Sequence, residues 1–324
     1  MLRKNEQPPL QSIKIDGVTT EDKSIIAEEF KKTFTSKIIK LRKSANTDPI
    51  IDRISEHLGE IKSWDLRSCT AEEVAFCIDA LKPTTSSGDD GISNRILKFL
   101  KPEIISPIMT IFNASVSSGK FPSAWKLGRV CPIFKKGSRD DSSNYRPVTL
   151  TSNIGKLIES LVRLQLSQAL EEVLPENMHG FRPNRNTESA LVQMLEKIKA
   201  HKCQGKKVAL LALDASAAFD LLSHSLILRT LEAIGAGPLM LNWTTDYLSG
   251  CSQFVDLNGF HSAIWSTDVG IGQGKRLSGN FFNLGCLSNA IWSVLSDLIL
   301  YADDGGDVIE ASTVSELNEK IRAV

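Results

Sequence analysis

Apolar positions along this chain recur first at helical spacing and later in shorter, strand-like runs. In TAEEVAFCIDALK, Val74, Ile78 and Leu81 fall on one helical face, and Thr70 with Glu73 forms a capping box ahead of them. IIAEEFKKTFTSKIIKLRK predicts an amphipathic helix over Ile25 to Lys43, basic toward its end and broken by SANTDPI. NRILKFLKPEIISPIMTIFNASVSSG reads as helix, proline break and helix, with a glycine stop at Gly119. GRVCPIFKKGS reads as a short strand feeding a basic turn. IGKLIESLVRLQLSQALEEVL and ESALVQMLEKIKAH are two further amphipathic helices.

The period changes at KKVALLALDASAAFD, where Val208 to Leu213 is an apolar run bounded like a buried strand. LILRTLEAIG returns to helix and ends at glycine. SQFVDLNG with AIWSTDVG predicts a hairpin, and LILYADDGGDVIE predicts another, turning over Asp303 to Gly306. STVSELNEKIRAV opens a helix boxed by Thr313 and Glu316, and the chain stops inside it. Helices dominate the first half and mix with strands in the second, which suits an α+β protein of two lobes.

Composition adds exclusions. The 324 residues are 42% hydrophobic and 23% charged, as in an ordinary globular protein with a real core. Lys plus Arg and Asp plus Glu number 38 each, so no global basic field advertises nucleic acid. A local one is present: Lys120 to Arg139 holds six basic residues and no acid. The six cysteines show no C-x-x-C spacing and no zinc-finger histidines, which predicts reduced, mostly buried thiols in an intracellular protein. MLRKNEQPPLQS lacks an apolar signal core, and no apolar run reaches the roughly 18 residues of a membrane span.

The carboxylates carry the chemistry. One apolar strand ends on Asp214, and about 90 residues later another runs into Asp303 and Asp304. Adjacent carboxylates repel, so a divalent metal, a basic partner or solvent must meet them. Ala215, Ser216, Ala217 and Ala218 leave room beside the first, before the bulky Phe219 and then Asp220. Taken singly, these are a solvated turn and a helix N-cap. Taken together they suggest one acidic site of the kind that suits magnesium, where two ions about 4 Å apart clamp the attacking and leaving oxygens of phosphoryl transfer.

The segments SSGDDGISNRILKFL, GKFPSAWKLGRVCPIFKKGSRDDSSNYRPVTLTSNIGKLIE, HGFRPNRNTESAL, LALDASAAFDLLSH, GIGQGKRLSGNFFN and LYADD stand in a fixed order. In that order they resemble the reverse transcriptase of non-LTR retrotransposons, of the jockey or LINE-like kind, over about residues 75 to 310. The resemblance implies right-hand polymerase fingers and palm, with a small antiparallel palm sheet. Residues 1–70 would be linker-like, 71–205 mostly fingers with the first palm elements, and 206–324 an incomplete palm, with thumb and endonuclease missing. It implies a catalytic triad of Asp214, Asp303 and Asp304 holding two Mg2+ ions with the carbonyl of Ala215. Lys135 or Lys136 and Arg146 would hold the triphosphate, Phe219 would gate the sugar, and Gln273 and Gly274 would line the nucleotide pocket. Phe181, Arg182 and Arg185 would contact template. The activity implied is RNA-directed DNA synthesis from an RNA template, a DNA primer and dNTPs, with nuclear residence and no membrane. The alternative is an inactive remnant of a mobile element that at most binds nucleic acid. An RNA-templated RNA polymerase is disfavoured by Phe219 and YADD. GIGQGKRLSG is neither a Walker loop nor a dinucleotide fingerprint, and it departs from the family's PQG motif, with Gly272 for proline and Lys275 for serine.

Overall fold

The computed structural model describes residues 10–44, 61–214, 218–272, 274–287 and 298–323. In chain order come β1 (Ile13–Ile15), β2 (Val18–Thr20), α1 (Lys23–Ser44), α2 (Ala71–Asp79), α3 (Asn94–Phe99), α4 (Lys101–Ser118), β3 (Leu127–Phe134), β4 (Tyr145–Leu150), α5 (Asn153–Val173) and α6 (Thr187–Cys203). There follow β5 (Lys207–Asp214), α7 (Ala218–Leu221), α8 (His224–Ala233), α9 (Pro238–Leu248), β6 (Cys251–Leu257), β7 (Phe260–His261), β8 (Trp265–Thr267), α10 (Ser278–Leu287), β9 (Leu298–Tyr301), β10 (Asp304–Ala311) and α11 (Val314–Ala323).

The helix ends follow local chemistry. Thr70 and Glu73 exchange side-chain-to-backbone bonds at the start of α2. The break between α3 and α4 falls at Leu100, because Pro102 occupies the first turn of α4, where a missing N–H is harmless. Gly119 closes α4 with φ 63°. Along α5, Leu157, Ile158, Leu161, Val162, Leu166 and Leu170 are all buried and meet Phe112 of α4, Trp243 and Tyr247 of α9, and Phe281 of α10. Each such buried side chain contributes roughly 1.5–3 kcal/mol, so this helix is the axis of the main core.

A second core draws on residues 10–44, within the segment 1–70 expected to be linker-like. Ile26, Phe30 and Phe34 form one stripe on α1 and pack with Ile13 against Val130, Tyr145 and Val255. The Phe30 ring meets Tyr145 edge-on at 5.0 Å. The stripe is the apolar face of the amphipathic helix read over Ile25 to Lys43. Trp64 is tied to the end of α8 as well, its N–H donating to Gly235 O and its carbonyl accepting from Gly237 N–H.

The five-stranded sheet runs β4-β3-β6-β7, with β8 pairing Cys251 to Gln253 of β6 on the same edge as β7. The β3–β6 pair is parallel. A division at 205/206 cuts through this sheet, with β3 and β4 before it and β6 to β8 after. The expected SQFVDLNG–AIWSTDVG hairpin forms as β6 and β8. Strand β4 was not anticipated from YRPVTL. Its Pro147 pairs with Pro132 of β3, and proline is tolerated because β4 is an edge.

The three-stranded antiparallel sheet runs β5-β10-β9. Its hairpin turns at Ala302 and Asp303, since Tyr301 pairs with Asp304. Gly305 and Gly306, expected in the turn, lie inside β10. A Cβ at Gly306 would stand 2.5 Å from Met194 Cε, the flexible end of a side chain on α6. Helix α11 packs on β10 and β5. The architecture is α+β. None of the six cysteines is in a disulfide: Cys69, Cys77 and Cys251 are buried, Cys131 and Cys286 half-buried, and Cys203 exposed. Among the described residues no helix is long and apolar enough to cross a membrane.

Candidate active site

The aspartate turn is held from behind by the HGFRPNRNT segment. His179 N–H donates to Leu300 O at 2.8 Å and Leu300 N–H donates to Asn177 O at 2.9 Å, so residues 177–179 line the outer edge of β9. Asn177 Nδ2 donates to Leu298 O, and Asn283 Nδ2 of α10 donates to Gly180 O. Gly180 has no room for a side chain, because a Cβ there would stand 2.3 Å from Ala302 N. Ala302 itself carries φ 55°, an uncommon conformation for a residue with a Cβ, at the position that projects the two aspartates. His179 is buried, with Nδ1 2.8 Å from Ser189 Oγ and Nε2 2.7 Å from Gln193 Oε1. The segment expected to touch template thus also brackets the carboxylate hairpin.

In front of the turn lies a cleft of about 870 Å³. Asp303, Phe219, Phe181, Lys135, Lys136, Arg146 and Gly274 all line it, although six separate stretches of chain supply them. Lys37 of α1, Arg163 of α5, Lys275 and Arg276 complete a rim of seven basic residues against two acids, Asp220 and Asp303. A chain of zero net charge therefore presents a locally basic cleft around a carboxylate. Burial of Arg163, and then the charge of Arg276, lowers its pKa. Burial raises that of Asp220, opposed by Lys37.

The basic run 120–139 supplies less of this than its sequence implies. Lys120 and Lys126 both pair with Asp246, and Arg129 pairs with Asp256 at 3.2 Å. Arg139 lies 4.6 Å over the Phe134 ring. Lys135 and Lys136 are the members that line the cleft.

Phe219 stacks on Phe282 at 4.8 Å between centroids, and Phe181 meets Phe219 edge-on at 5.7 Å. The expected gate and template aromatic are one cluster. The side chain of Arg182, expected at the template, turns inward, donating from Nε and Nη2 to Glu171 and from Nη1 to Pro175 O and Met178 O, and so braces the loop. Arg185 donates from Nη1 to Glu176 O and lies outside the cleft lining. The helix expected at Thr187 begins there, capped by Asn186 with Ser189.

The pairing of β5 with β10 sets Asp214 directly opposite Asp304 on the backbone ladder. Ala215 and Gln273 lie outside the described residues, and so does the side chain of Asp214. Among the described residues, no group of three His, Cys, Asp or Glu side chains is arranged around a common point. The donor types at 214, 303 and 304 are all hard oxygens, which is the set magnesium takes.

A family model described as reverse transcriptase (RNA-dependent DNA polymerase) matches residues 133–323. The chain belongs to this family. It is 25% identical over 267 residues to the RNA-directed DNA polymerase from mobile element jockey of Drosophila funebris, covering 78% of this chain and 29% of that protein. It is 32% identical over 237 residues to the probable RNA-directed DNA polymerase from transposon X-element of Drosophila melanogaster, covering 70% and 25%. A third relative is the Pol polyprotein of the type-1 retrotransposable element R2 of Popillia japonica, 26% identical over 219 residues, covering 67% and 30%. The chain spans less than a third of the length of each. It is a reverse transcriptase domain of the non-LTR kind.

Several residues of this reverse transcriptase domain escaped sequence reasoning. Glu159 on α5 is 2% exposed, and its Oε2 accepts the Arg276 N–H at 2.5 Å, anchoring the GIGQGKRLSG turn. Burial raises the Glu159 pKa, and it raises that of neighbouring Tyr247 far above the ordinary phenol value. The turn is further pinned by Ser278 Oγ, which donates to Gly272 O. Gly274 is obligatory there, with φ 115° and a Cβ that would stand 2.7 Å from Thr149 O. At Gly272 the nearest atom is 3.5 Å from a Cβ position, so the space admits a side chain. Lys275 extends over Tyr247, its Nζ 4.7 Å from the ring centroid. The available signal was Glu159 and Arg163, two charges one helical turn apart within an otherwise apolar stripe.

Proposed function

We propose that this chain is the catalytic portion of an RNA-directed DNA polymerase that extends a DNA primer on an RNA template. The three-stranded sheet is its palm and the five-stranded sheet with its helices belongs to the fingers. The observation that carries the reading is the cleft in which Asp303 faces Lys135, Lys136, Arg146 and Phe219, with Asp304 in register opposite Asp214. In the reaction the primer 3′-oxygen bonds to the α-phosphorus of a dNTP, and the bond to the departing pyrophosphate breaks.

Arg146 projects from β4 with a planar fork suited to two phosphate oxygens, while Lys135 and Lys136 act as point charges. Phe219, braced by Phe282, presents a bulky edge that excludes a ribose 2′-hydroxyl by clash. Gly274, with Gln273, borders the nucleotide, and Phe181 offers a face for a base. Asp214, the Ala215 carbonyl, Asp303 and Asp304 would hold two magnesium ions, whose charge favours ionisation of the 3′-hydroxyl and offsets that of the triphosphate.

Primer extension on a homopolymer RNA template with magnesium tests the reading. Asp303→Asn is expected to lower extension at least about a hundredfold, by the size of losses that follow removal of charge-stabilising groups, without loss of folding stability. Full extension by that variant overturns the assignment. Absence of extension by the parent chain, with intact nucleic-acid binding, supports the inactive-remnant alternative.

A further inference from the structure

Two residues that carry a Cβ hold left-handed backbone beside the aspartate turn: Ala302 at φ 55° and Phe181 at φ 59°. Such conformations are uncommon outside glycine and persist where the surroundings over-determine them. Gly180 stands between the two, packed on the Ala302 backbone. Helix α10 holds the far side of this pair. A Cβ at Gly279 would stand 2.5 Å from Phe181 Cγ, so the ring lies directly on the helix backbone there. One turn further along α10, Asn283 Nδ2 donates to Gly180 O at 3.0 Å. A carbonyl only accepts, which fixes the end of the amide that faces it. Asn283 is 2% exposed and Gly180 is buried, so water does not readily replace this bond.

The opposite face of α10 belongs to the main core. Leu277, at its start, and Phe281 and Leu284 are buried there, and Asn280 Nδ2 donates to Ser167 Oγ of α5 at 3.0 Å. The helix is therefore anchored independently of the aspartate hairpin. Its other face, Gly279, Phe282 and Asn283 at helical positions i, i+3 and i+4, addresses residues 180–181 and the Phe219 ring. The same helix opens directly after the turn that carries Gly274, where Ser278 Oγ donates to Gly272 O. One anchored element thus meets both the nucleotide side of the cleft and the back of the aspartate turn.

We infer that Asn283 is a positioning residue. Its amide holds Gly180 against Ala302 and so fixes Asp303 relative to Lys135, Lys136 and Arg146, while Asn283 itself lies outside the cleft lining. The catalytic part of this inference rests on the polymerase reading; the tie between α10 and the hairpin does not. Without the donor, residues 177–180 lose their hold from α10 and pair less firmly with the edge of β9, and Asp303 is no longer held at one position. A misplacement of about 1 Å costs on the order of a hundredfold in rate. Nucleotide affinity changes little, because the phosphate-facing groups stand on β3, β4 and the turn between them.

The test compares the full chain with Asn283→Ala, Asn283→Ser and a control, Gln165→Ala. Gln165 is likewise a buried amide, bonded to the Arg67 backbone and outside the cleft. In Asn283→Ala, hydrogen exchange at the His179 and Leu300 amides is expected to quicken at least about tenfold while amides of α5 keep their parent rates. Primer extension on homopolymer RNA is expected to lose about 30- to 100-fold in kcat, with KM for the dNTP within about threefold. Asn283→Ser keeps a donor on a shorter arm and is expected to recover part of both losses; it carries the comparison if Asn283→Ala does not fold. Gln165→Ala is expected to lower the melting temperature by a similar few degrees and to leave both readouts unchanged. Parent-like exchange at His179 in Asn283→Ala overturns the tie. Faster exchange with unchanged kcat, or an equal loss of kcat in Gln165→Ala, overturns the positioning role. A parent chain that extends no primer counts against the polymerase reading instead, and the exchange rates then decide the tie by themselves.

Discussion

Replacing Glu159 dissects how the GIGQGKRLSG turn is held in place. The carboxylate is buried and accepts the Arg276 N–H, while burial disfavours its charge. In the E159A variant that N–H loses its acceptor, at roughly 1–3 kcal/mol, and one buried methylene is lost at about 0.8 kcal/mol. Relief from holding a disfavoured carboxylate offsets part of this. The net expectation is about 2 kcal/mol of destabilisation. E159Q keeps an acceptor for Arg276 and removes the charge, and its amide sits beside the buried Tyr247 hydroxyl. Its cost is expected to stay within about 1 kcal/mol.

The two variants also differ in pH response. The native pKa of Glu159 is raised, so the folded protein holds this proton more tightly than the unfolded chain does. The stability it contributes is complete below the ordinary carboxylate pKa and is lost as pH rises through the raised native value. E159Q lacks the group, so its stability relative to the parent is expected to improve over that window. Urea unfolding at several pH values measures all of this, provided the m-values agree. E159A within about 0.5 kcal/mol of the parent would refute the anchoring role, since that is the scatter of inconsequential substitutions. E159Q as costly as E159A would mean that charge, rather than an acceptor, holds the turn.

The remaining expectations concern the aspartate hairpin and the cleft. Gly180→Ala drives a Cβ into the Ala302 backbone, which no rotamer change relieves, and is expected to cost about 2–3 kcal/mol and most of the primer extension; thermal melting with a parallel activity assay checks it. Arg182→Ala is expected to cost about 2 kcal/mol, discounted for the partial exposure of Glu171, with no rescue by lysine and no change in the salt dependence of RNA binding. Arg146→Ala should do the reverse, leaving stability intact and reducing the slope of log affinity against log salt by about 1; identical behaviour of the two arginines would refute the distinction. Phe219→Ala is expected to lower stability by about 2 kcal/mol through the lost stack on Phe282 and to admit ribonucleotides, and unchanged sugar discrimination in single-nucleotide extension would count against the gate.

Sequence alone determined the local elements wherever the chemistry is local. The Thr70–Glu73 box, the Gly119 stop, the apolar stripe of α5 and the run from Val208 into Asp214 depend on neighbours a few residues away. It also placed the two strand-to-aspartate junctions, because repelling carboxylates after apolar runs stand out in one dimension. Only the tertiary structure decided which charges face the cleft. Lys120, Lys126 and Arg129 are neutralised by Asp246 and Asp256, more than 100 residues away in sequence, and Arg182 by a loop folding back on itself. The turn at Ala302–Asp303 likewise follows from the register in which Asp304 pairs with Tyr301 and Asp214, which leaves Gly305 and Gly306 inside β10. Pairing of charges and approach of backbones depend on distance in space, and hydrophobic periodicity carries no record of that.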